Sequence, residues 1–379
     1  MIFRIGKMTA HRSHYLRYLL LLAIVLVIII TIFTDSSVLK KTEYTPNETD
    51  DFTPKPQRFE NISDCYKSPG NKDNGIRYFD DILDAKIQPK PGKTIFFHQT
   101  TCSKTGIVKL NAKEACAVES AARHNPDRDI FVIFASPVGV IETKKELPQF
   151  YNKLQVYSNI HVRNMNIWRY SSDTPISSWL TSSKLFDSMF LYEHMSDIVR
   201  AMTLYRYGGY HMDLDVIVQK NIDELGENFI GDDWATVING AVMHLNNHGV
   251  GREISQRFFG EIMKNFNGDS FIGNGPQMLT HILEEICSTP NRTLWTPNRC
   301  QGAKIQPKET FYPISWSNYT LYFEPEDLNK ALKLCENSTV IHVWNDRSKD
   351  IWNKVGIENA YQVIAAKNCP LVYYDSEIF

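Results

Sequence analysis

An excess of positive charge is the first thing this 379-residue sequence lacks. Its 41 Lys and Arg stand against 43 Asp and Glu, a formal net charge of -2, which argues against a nucleic-acid-binding chain, since that needs a basic footprint. No internal repeat is found, so solenoid and propeller architectures drop out. A shortage of apolar residues is absent too. At 43% hydrophobic and 12% aromatic the composition is globular, with enough for one large domain or two modest ones.

Acidic residues are missing from the first 17 positions, which hold Arg4, Lys7, Arg12 and Arg17. They run directly into "YLLLLAIVLVIIITIFT", Tyr18 to Thr34. No small-x-small cleavage site follows, so the stretch reads as a membrane helix rather than a removed signal peptide. The basic flank orients it N-in and C-out. Its 17 residues are at the short end for a span, suiting a thinner membrane of the early secretory route. This predicts a cytoplasmic tail over 1–17, a transmembrane signal-anchor over 18–34 and a luminal remainder.

All seven cysteines follow the span, as do five N-x-S/T sequons at Asn47, Asn61, Asn291, Asn318 and Asn337. Both fit an oxidising, glycosylating lumen. Close spacing suggests the disulfides Cys102–Cys116 and Cys287–Cys300, with Cys335 and Cys369 as further candidates. Seven is odd, and Cys65 is the expected unpaired residue, available to join two chains as a homodimer.

From 35 to 92 the sequence is polar, with "TPNETDDFTPKPQ" and "SPGNKDNG" supplying Pro, Gly and charge. It reads as an extended luminal stem, with some order near its end at "IRYFDDIL". The folded domain is expected over 93–379. "KTIFFHQT" (93–100) and "DIFVIFAS" (129–136) read as buried strands flanking a helix, "AKEACAVESAARHN", and "NIHVRNMNI" (159–167) alternates like a third strand. Strand, helix, strand predicts a doubly wound α/β sheet with ligands at the carboxyl ends of its strands.

In "EHMSDIVRAMTLYRY" (193–207) Met195, Ile198, Val199, Met202 and Tyr205 recur at helical spacing. Gly208 and Gly209 then stop the helix, and "YHMDLDVIV" continues as a strand. A period of two places Tyr210, Met212, Leu214, Val216 and Val218 on one face and His211, Asp213, Asp215 and Ile217 on the other. Two carboxylates on one face repel unless one takes a proton or a cation lies between them. An isolated D-x-D is usually a solvated strand end. Helix, Gly-Gly turn and strand context favours a divalent cation site here.

The order Ser196-Asp197-x-x-Arg200, then Gly208-Gly209, then Asp213-x-Asp215 resembles the donor-binding core of metal-dependent glycosyltransferases. "CAVESAARHNP" (116–126), "NGAVM" (239–243), "GPQMLT" (275–280), "FYPISW" (311–316) and "HVWN" (342–345) follow in an order that resembles the α1,4-galactosyltransferase and α1,4-N-acetylglucosaminyltransferase family. The resemblance covers roughly 93–379. It implies a single Rossmann-like nucleotide-sugar transferase domain of the GT-A type and a retaining transfer of α-galactose or α-N-acetylgalactosamine from a UDP-sugar to a terminal glycolipid sugar. Mn²⁺ or Mg²⁺ bridging the diphosphate would assist its departure.

By that resemblance Asp213, Asp215 and His342 hold the metal, with Asp213 ligating through water or contacting the ribose and donor sugar. Asp197, Arg200, His211 and Asn239 belong to the donor site, with Asp197 and Arg200 on one helix face. Trp344 and Asn345 shape the same wall. Gln277 lies near the anomeric carbon or orients the acceptor; as glutamine is a poor nucleophile, a front-side displacement is favoured over a covalent intermediate. Where the family usually has tyrosine two residues before the first aspartate, this chain has His211. That residue either adds a metal ligand, replaces a hydroxyl contact to phosphate, or impairs the site. Two rivals stand beside the transferase: a membrane-tethered binder of nucleotide sugar or glycan without turnover, and a glycosidase. The glycosidase needs opposed carboxylates, whereas Asp213 and Asp215 share a face.

Overall fold

Five consecutive buried residues, Ile95–Gln99, form strand β2, on which the main sheet grows. The computed structural model describes residues 61–68, 75–143, 147–234 and 237–379. The apolar run at 18–34, its basic flank and Asn47 lie outside the described residues. Among the described residues no helix is long and apolar enough to cross a membrane.

Strand β1 (Ile76–Tyr78) precedes β2 and pairs with β4 (Gly139–Ile141) as a small antiparallel ribbon. The main sheet also takes β3 (Ile130–Phe134), β5 (Ile160–Asn164), β6 (Gly209–Met212), β8 (Phe229–Asp232), β9 (Ile238–Leu245) and β10 (Lys304–Gln306). Its seven strands run in the order β10-β8-β9-β6-β2-β3-β5. Only β9 is antiparallel to its neighbours. The α/β expectation therefore holds, with a mixed rather than wholly parallel sheet. β2 and β3 are buried on both faces, while edge strand β5 alternates buried with half-buried, as its sequence pattern predicts.

Alternation along β2 feeds two cores. Ile95 and Phe97 pack with helix α1 (Ala112–His124), and Phe96 packs with helix α2 (Leu191–Tyr207). A capping box starts α1: the Glu114 N–H donates to Asn111 Oδ1 at 2.9 Å and the Asn111 N–H to Glu114 Oε2 at 2.8 Å. The five stripe residues of α2 are all buried. Gly208 and Gly209 have φ of 64° and 107°, and a Cβ on Gly209 would come 2.5 Å from the Thr94 carbonyl oxygen. Glycine thus lets the chain leave α2 and pair with β2 in the next residue.

The strand expected over "YHMDLDVIV" is broken. β6 ends at Met212, residues 213–215 turn, and strand β7 (Val216–Val218) pairs antiparallel with β11 (Val340–His342) in a separate two-stranded sheet. Hydrophobic alternation continues through the turn, so the sequence pattern conceals it. Pro276 lies in a π-turn (Gly273–Gln277) before helix α4 (Met278–Cys287), which packs beside helix α3 (Gly249–Asn265).

The end of the expected stem belongs to the domain. Tyr66 and Ile82 are fully buried, and the Tyr66 hydroxyl donates to the Thr100 carbonyl at 2.8 Å. The disulfides are Cys65–Cys102, Cys116–Cys369 and Cys287–Cys300, and the buried Cys335 is free. Only Cys287–Cys300 matches the expected pairings. Cys116 lies on the buried face of α1, turned towards the C-terminal helices Ala360–Asn368 and Pro370–Tyr373 rather than Cys102. Cys102 instead staples the segment around Cys65 to the end of β2, so Cys65 is not available for a disulfide-linked homodimer. Asn61, Asn291, Asn318 and Asn337 are exposed.

Peptide mapping without reduction should recover these three cross-links and an unmodified Cys335 thiol; a Cys102–Cys116 peptide would contradict the packing of α1. Replacing Cys116 by Ser should cost about 2–5 kcal/mol in stability, read by chemical denaturation.

Candidate functional site

The break between β6 and β7 places Asp213 at the carboxyl end of a central strand, where a doubly wound sheet opens to ligands. The Asp213 N–H still donates to the Ala241 carbonyl of β9 at 2.8 Å, and the Asp215 carbonyl accepts from the Val343 N–H at 3.0 Å. The two aspartates therefore span the passage from one sheet to the other. Ligand atoms of Asp213, Asp215 and His342 all lie within 4.8 Å of one another. At that separation the two carboxylates repel by about 3 kcal/mol for an effective dielectric constant of about 20.

Four groups offset this repulsion. His211 Nε2 lies 2.8 Å from Asp213 Oδ1, and Arg200 Nη2 is 3.8 Å from the same oxygen. His342 Nε2 is 3.2 Å from Asp215 Oδ1, and the Asn345 N–H donates to Asp215 Oδ2 at 2.8 Å. Burial works to raise the Asp213 pKa. The Arg200 guanidinium and the His211 hydrogen bond outweigh it and hold the carboxyl well below its usual range. For His342 burial works downward, but Asp215 overrides it and the pKa is raised.

Asn345 opens helix α5 (Asn345–Ser348), and Trp344 before it has φ 57° and ψ 60°. An aromatic residue in that left-handed region costs about 1–3 kcal/mol and persists only where its surroundings fix it. Here its indole Nε1–H donates to the Ile314 carbonyl at 2.9 Å, and its backbone N–H points at His342 Nδ1 at 3.3 Å. The turn aims both the Asn345 N–H and the His342 ring at Asp215. Lys113 on α1 anchors it from below, donating to the Ser348 and Ile351 carbonyls at 2.9 and 2.6 Å.

Asp197 and Arg200 are brought to the same place. They are nearly buried and joined at 3.0 Å, so the exposed helix-surface ion pair that their spacing also permits is not what forms. Burial pushes the Asp197 pKa up to about 7 against the pull of Arg200, with Asp213 and Glu193 adding to the rise. Two glycines make room for the pair. A Cβ on Gly240 would come 2.5 Å from Arg200 Nη1, and one on Gly275 would come 2.5 Å from Asp197 Oδ1.

Asn239 takes a supporting position. Its amide donates to Asp233 Oδ2 at 3.1 Å, and its side-chain oxygen accepts from the Ala241 N–H at 2.9 Å. It thereby shapes the β9 segment that binds the Asp213 backbone. Gln277 is exposed, two residues beyond the Gly275 that abuts Asp197. His211 is buried, with its ring stacked 5.2 Å from that of His98. Burial lowers the pKa of both rings, His211 to about 4.

Sequence reasoning missed His98, Thr203, Asp233 and the glycines 240 and 275. His98 carried a signal: it shares a face with Phe96 on a fully buried strand, and a polar group there needs partners.

The donor set suits a hard or borderline divalent cation such as Mn²⁺ or Mg²⁺: two carboxylates and one imidazole. Replacing Gly240 by Ala should displace Arg200 and cost about 1–3 kcal/mol in stability. Thermal denaturation with an unchanged midpoint would contradict that close fit.

Two family models match the chain: the glycosyltransferase sugar-binding region containing the DXD motif over residues 111–230, and the alpha 1,4-glycosyltransferase conserved region over 247–376. Lactosylceramide 4-alpha-galactosyltransferase of Mus musculus is 29% identical over 263 residues, 68% of this chain and 70% of that protein. The alpha-1,4-N-acetylglucosaminyltransferase of Homo sapiens is 25% identical over 291 residues, 72% of this chain and 81% of that protein. Among solved structures, the glycosyltransferase GlyE of Streptococcus pneumoniae gives a TM-score of 0.39 at 12% identity, covering 75% of this chain and 62% of that one. That likeness is too low to carry weight, and the family rests on the sequence matches. Asp213 and Asp215 lie in the first matched region and His342 in the second, and by these matches the chain is similar, over about two thirds of its length, to glycosyltransferases of the α1,4-galactosyl- and α1,4-N-acetylglucosaminyltransferase family.

Proposed function

We propose that the chain transfers α-galactose or α-N-acetylgalactosamine from a UDP-sugar, with retention, to a terminal sugar of a glycosphingolipid in α1,4 linkage, and that the reaction depends on Mn²⁺ or Mg²⁺. The observation that carries this reading is the gathering of Asp213, Asp215 and His342 within 4.8 Å, beside the buried Asp197–Arg200 pair. When bound, the cation supplies Lewis-acid neutralisation of the diphosphate.

The chain's own residues account for the rest. Arg200, always charged, adds positive charge on the diphosphate side. Asp197 is placed to accept a hydrogen bond from a donor-sugar hydroxyl. Gln277 is exposed, two residues from the Gly275 that abuts Asp197, and is suited to orienting the acceptor rather than to attack. In the front-side displacement, the bond from the anomeric carbon to the leaving phosphate oxygen breaks as the bond to the acceptor hydroxyl oxygen forms on the same face. The acceptor proton passes to the departing phosphate oxygen. A charged leaving group in a water-poor site gains most from fixed donors already in place.

The same reading makes the protein a type II membrane protein of the Golgi with its folded domain luminal. Support comes from the basic-flanked apolar run at 18–34, the three disulfides and the exposed sequons.

Incubating the chain with Mn²⁺, a panel of UDP-hexoses and glycolipid acceptors should release UDP and yield an α1,4-linked product. UDP binding without turnover on any acceptor would favour a tethered nucleotide-sugar binder instead. Replacing Asp215 by Ala should abolish metal-dependent UDP binding in calorimetry; retained binding would overturn the assignment of Asp215 to the cation.

A further inference from the structure

Behind Asp213 lies a buried file of polar side chains that the transfer reaction does not itself require. Tyr170 Oη is 3.1 Å from Thr203 Oγ1, Thr203 Oγ1 is 2.9 Å from His98 Nε2, and His98 Nδ1 is 3.2 Å from His211 Nδ1. His211 Nε2 then meets Asp213 Oδ1 at 2.8 Å. Tyr170 and Thr203 are fully buried, and His211 and His98 are 1% and 7% exposed. Water has little access to this file, so its members must satisfy one another.

Geometry fixes the link to Asp213, and for a neutral His211 hydrogen-bond counting sets the direction of the links behind it. Asp213 lies beside the Arg200 guanidinium and is a carboxylate, which can only accept. His211 must therefore carry its proton on Nε2, and as a neutral ring it is bare at Nδ1. Between the two facing Nδ1 atoms there is room for one proton, so it belongs to His98. The other nitrogen of His98, Nε2, is then bare and accepts from the Thr203 hydroxyl, whose oxygen accepts from the Tyr170 hydroxyl. Each bare nitrogen has a donor, each N–H and O–H an acceptor, and the file ends on the carboxylate.

We propose that Tyr170, Thr203, His98 and His211 are positioning residues that lock His211 as an Nε2–H donor to Asp213 Oδ1, orienting Asp213 towards the cation and keeping His211 out of the cation's ligand set. His211 stands outside the group of ligand atoms that Asp213, Asp215 and His342 bring within 4.8 Å of one another, and its two ring nitrogens face Asp213 and His98. Outer partners of this kind are worth about 10–100-fold in metal affinity. The inference rests on the reading of Asp213 as a carboxylate of the cation and donor site.

The test is the tautomer of the two rings in the full-length chain. With ring-¹⁵N histidine, and with His98→Asn and His211→Asn used to assign signals among the 11 histidines, long-range ¹H–¹⁵N correlation should show His98 protonated at Nδ1 alone and His211 at Nε2 alone. A doubly protonated His211, or His98 protonated at Nε2, reverses the file and overturns the proposal. In calorimetry with UDP present, Thr203→Val should weaken Mn²⁺ binding about tenfold while leaving metal-free UDP affinity unchanged. Tyr170→Phe should weaken it in the same sense, and serves if Thr203→Val does not fold. Unchanged Mn²⁺ affinity in the folded variant would sink the positioning role. Asp213→Asn separates the two levels: if it leaves Mn²⁺ binding intact, the donor-site reading fails, whereas its loss beside normal Thr203→Val and Tyr170→Phe binding defeats the positioning file alone.

Discussion

Two carboxylates held within 4.8 Å of each other would drive the turn between β6 and β7 apart if nothing answered their charge. Much of the surrounding structure is arranged to answer it. Arg200 approaches from α2, His211 from the end of β6, His342 from β11 and the Asn345 N–H from the start of α5. These groups balance the charge without removing it, because Asp213 stays partly open, its side chain 29% exposed. What they leave is a small acidic opening that a divalent cation and a diphosphate can complete together.

The fold makes this possible by ending a central strand there. β6 lies between β2 and β9 in the main sheet, while β7 joins β11 in another. A chain crossing from one to the other must turn, and the turn holds both aspartates. Gly208 and Gly209 bring α2 and β6 together without a linker, so Asp197 and Arg200 on the helix arrive beside the strand end. Gly240 and Gly275 then leave room for that buried pair. Tightly packed glycines around a polar pair are a rigid arrangement, suited to electrostatic help that must be in place before the reaction begins.

Much of this was legible in the sequence. Buried runs gave β2 and β3, alternation gave the edge strand β5, and the apolar stripe gave α2. The aspartates and His342 were legible because their residue types and order match a chemical requirement. Other features were hidden for physical reasons. Alternation runs unbroken through 213–215, so the turn left no mark. Disulfide partners follow from which face of a helix looks where, and Cys116 finds Cys369 across 253 residues. The order contributed by residues 62–66 depends on Tyr66 finding a buried place and the Thr100 carbonyl. His211 was visible as a departure from the family pattern, but its role became readable only with His98 beside it.

The central claim is that Asp213, Asp215 and His342 together bind a divalent cation. Crystals of the protein grown with Mn²⁺ and UDP, measured at the manganese absorption edge, test it most directly. The account predicts one anomalous peak within bonding distance of Asp215 and His342 and on the side of Asp213 away from His211. A peak bonded to His211, or UDP bound with no peak at these three residues, would contradict it.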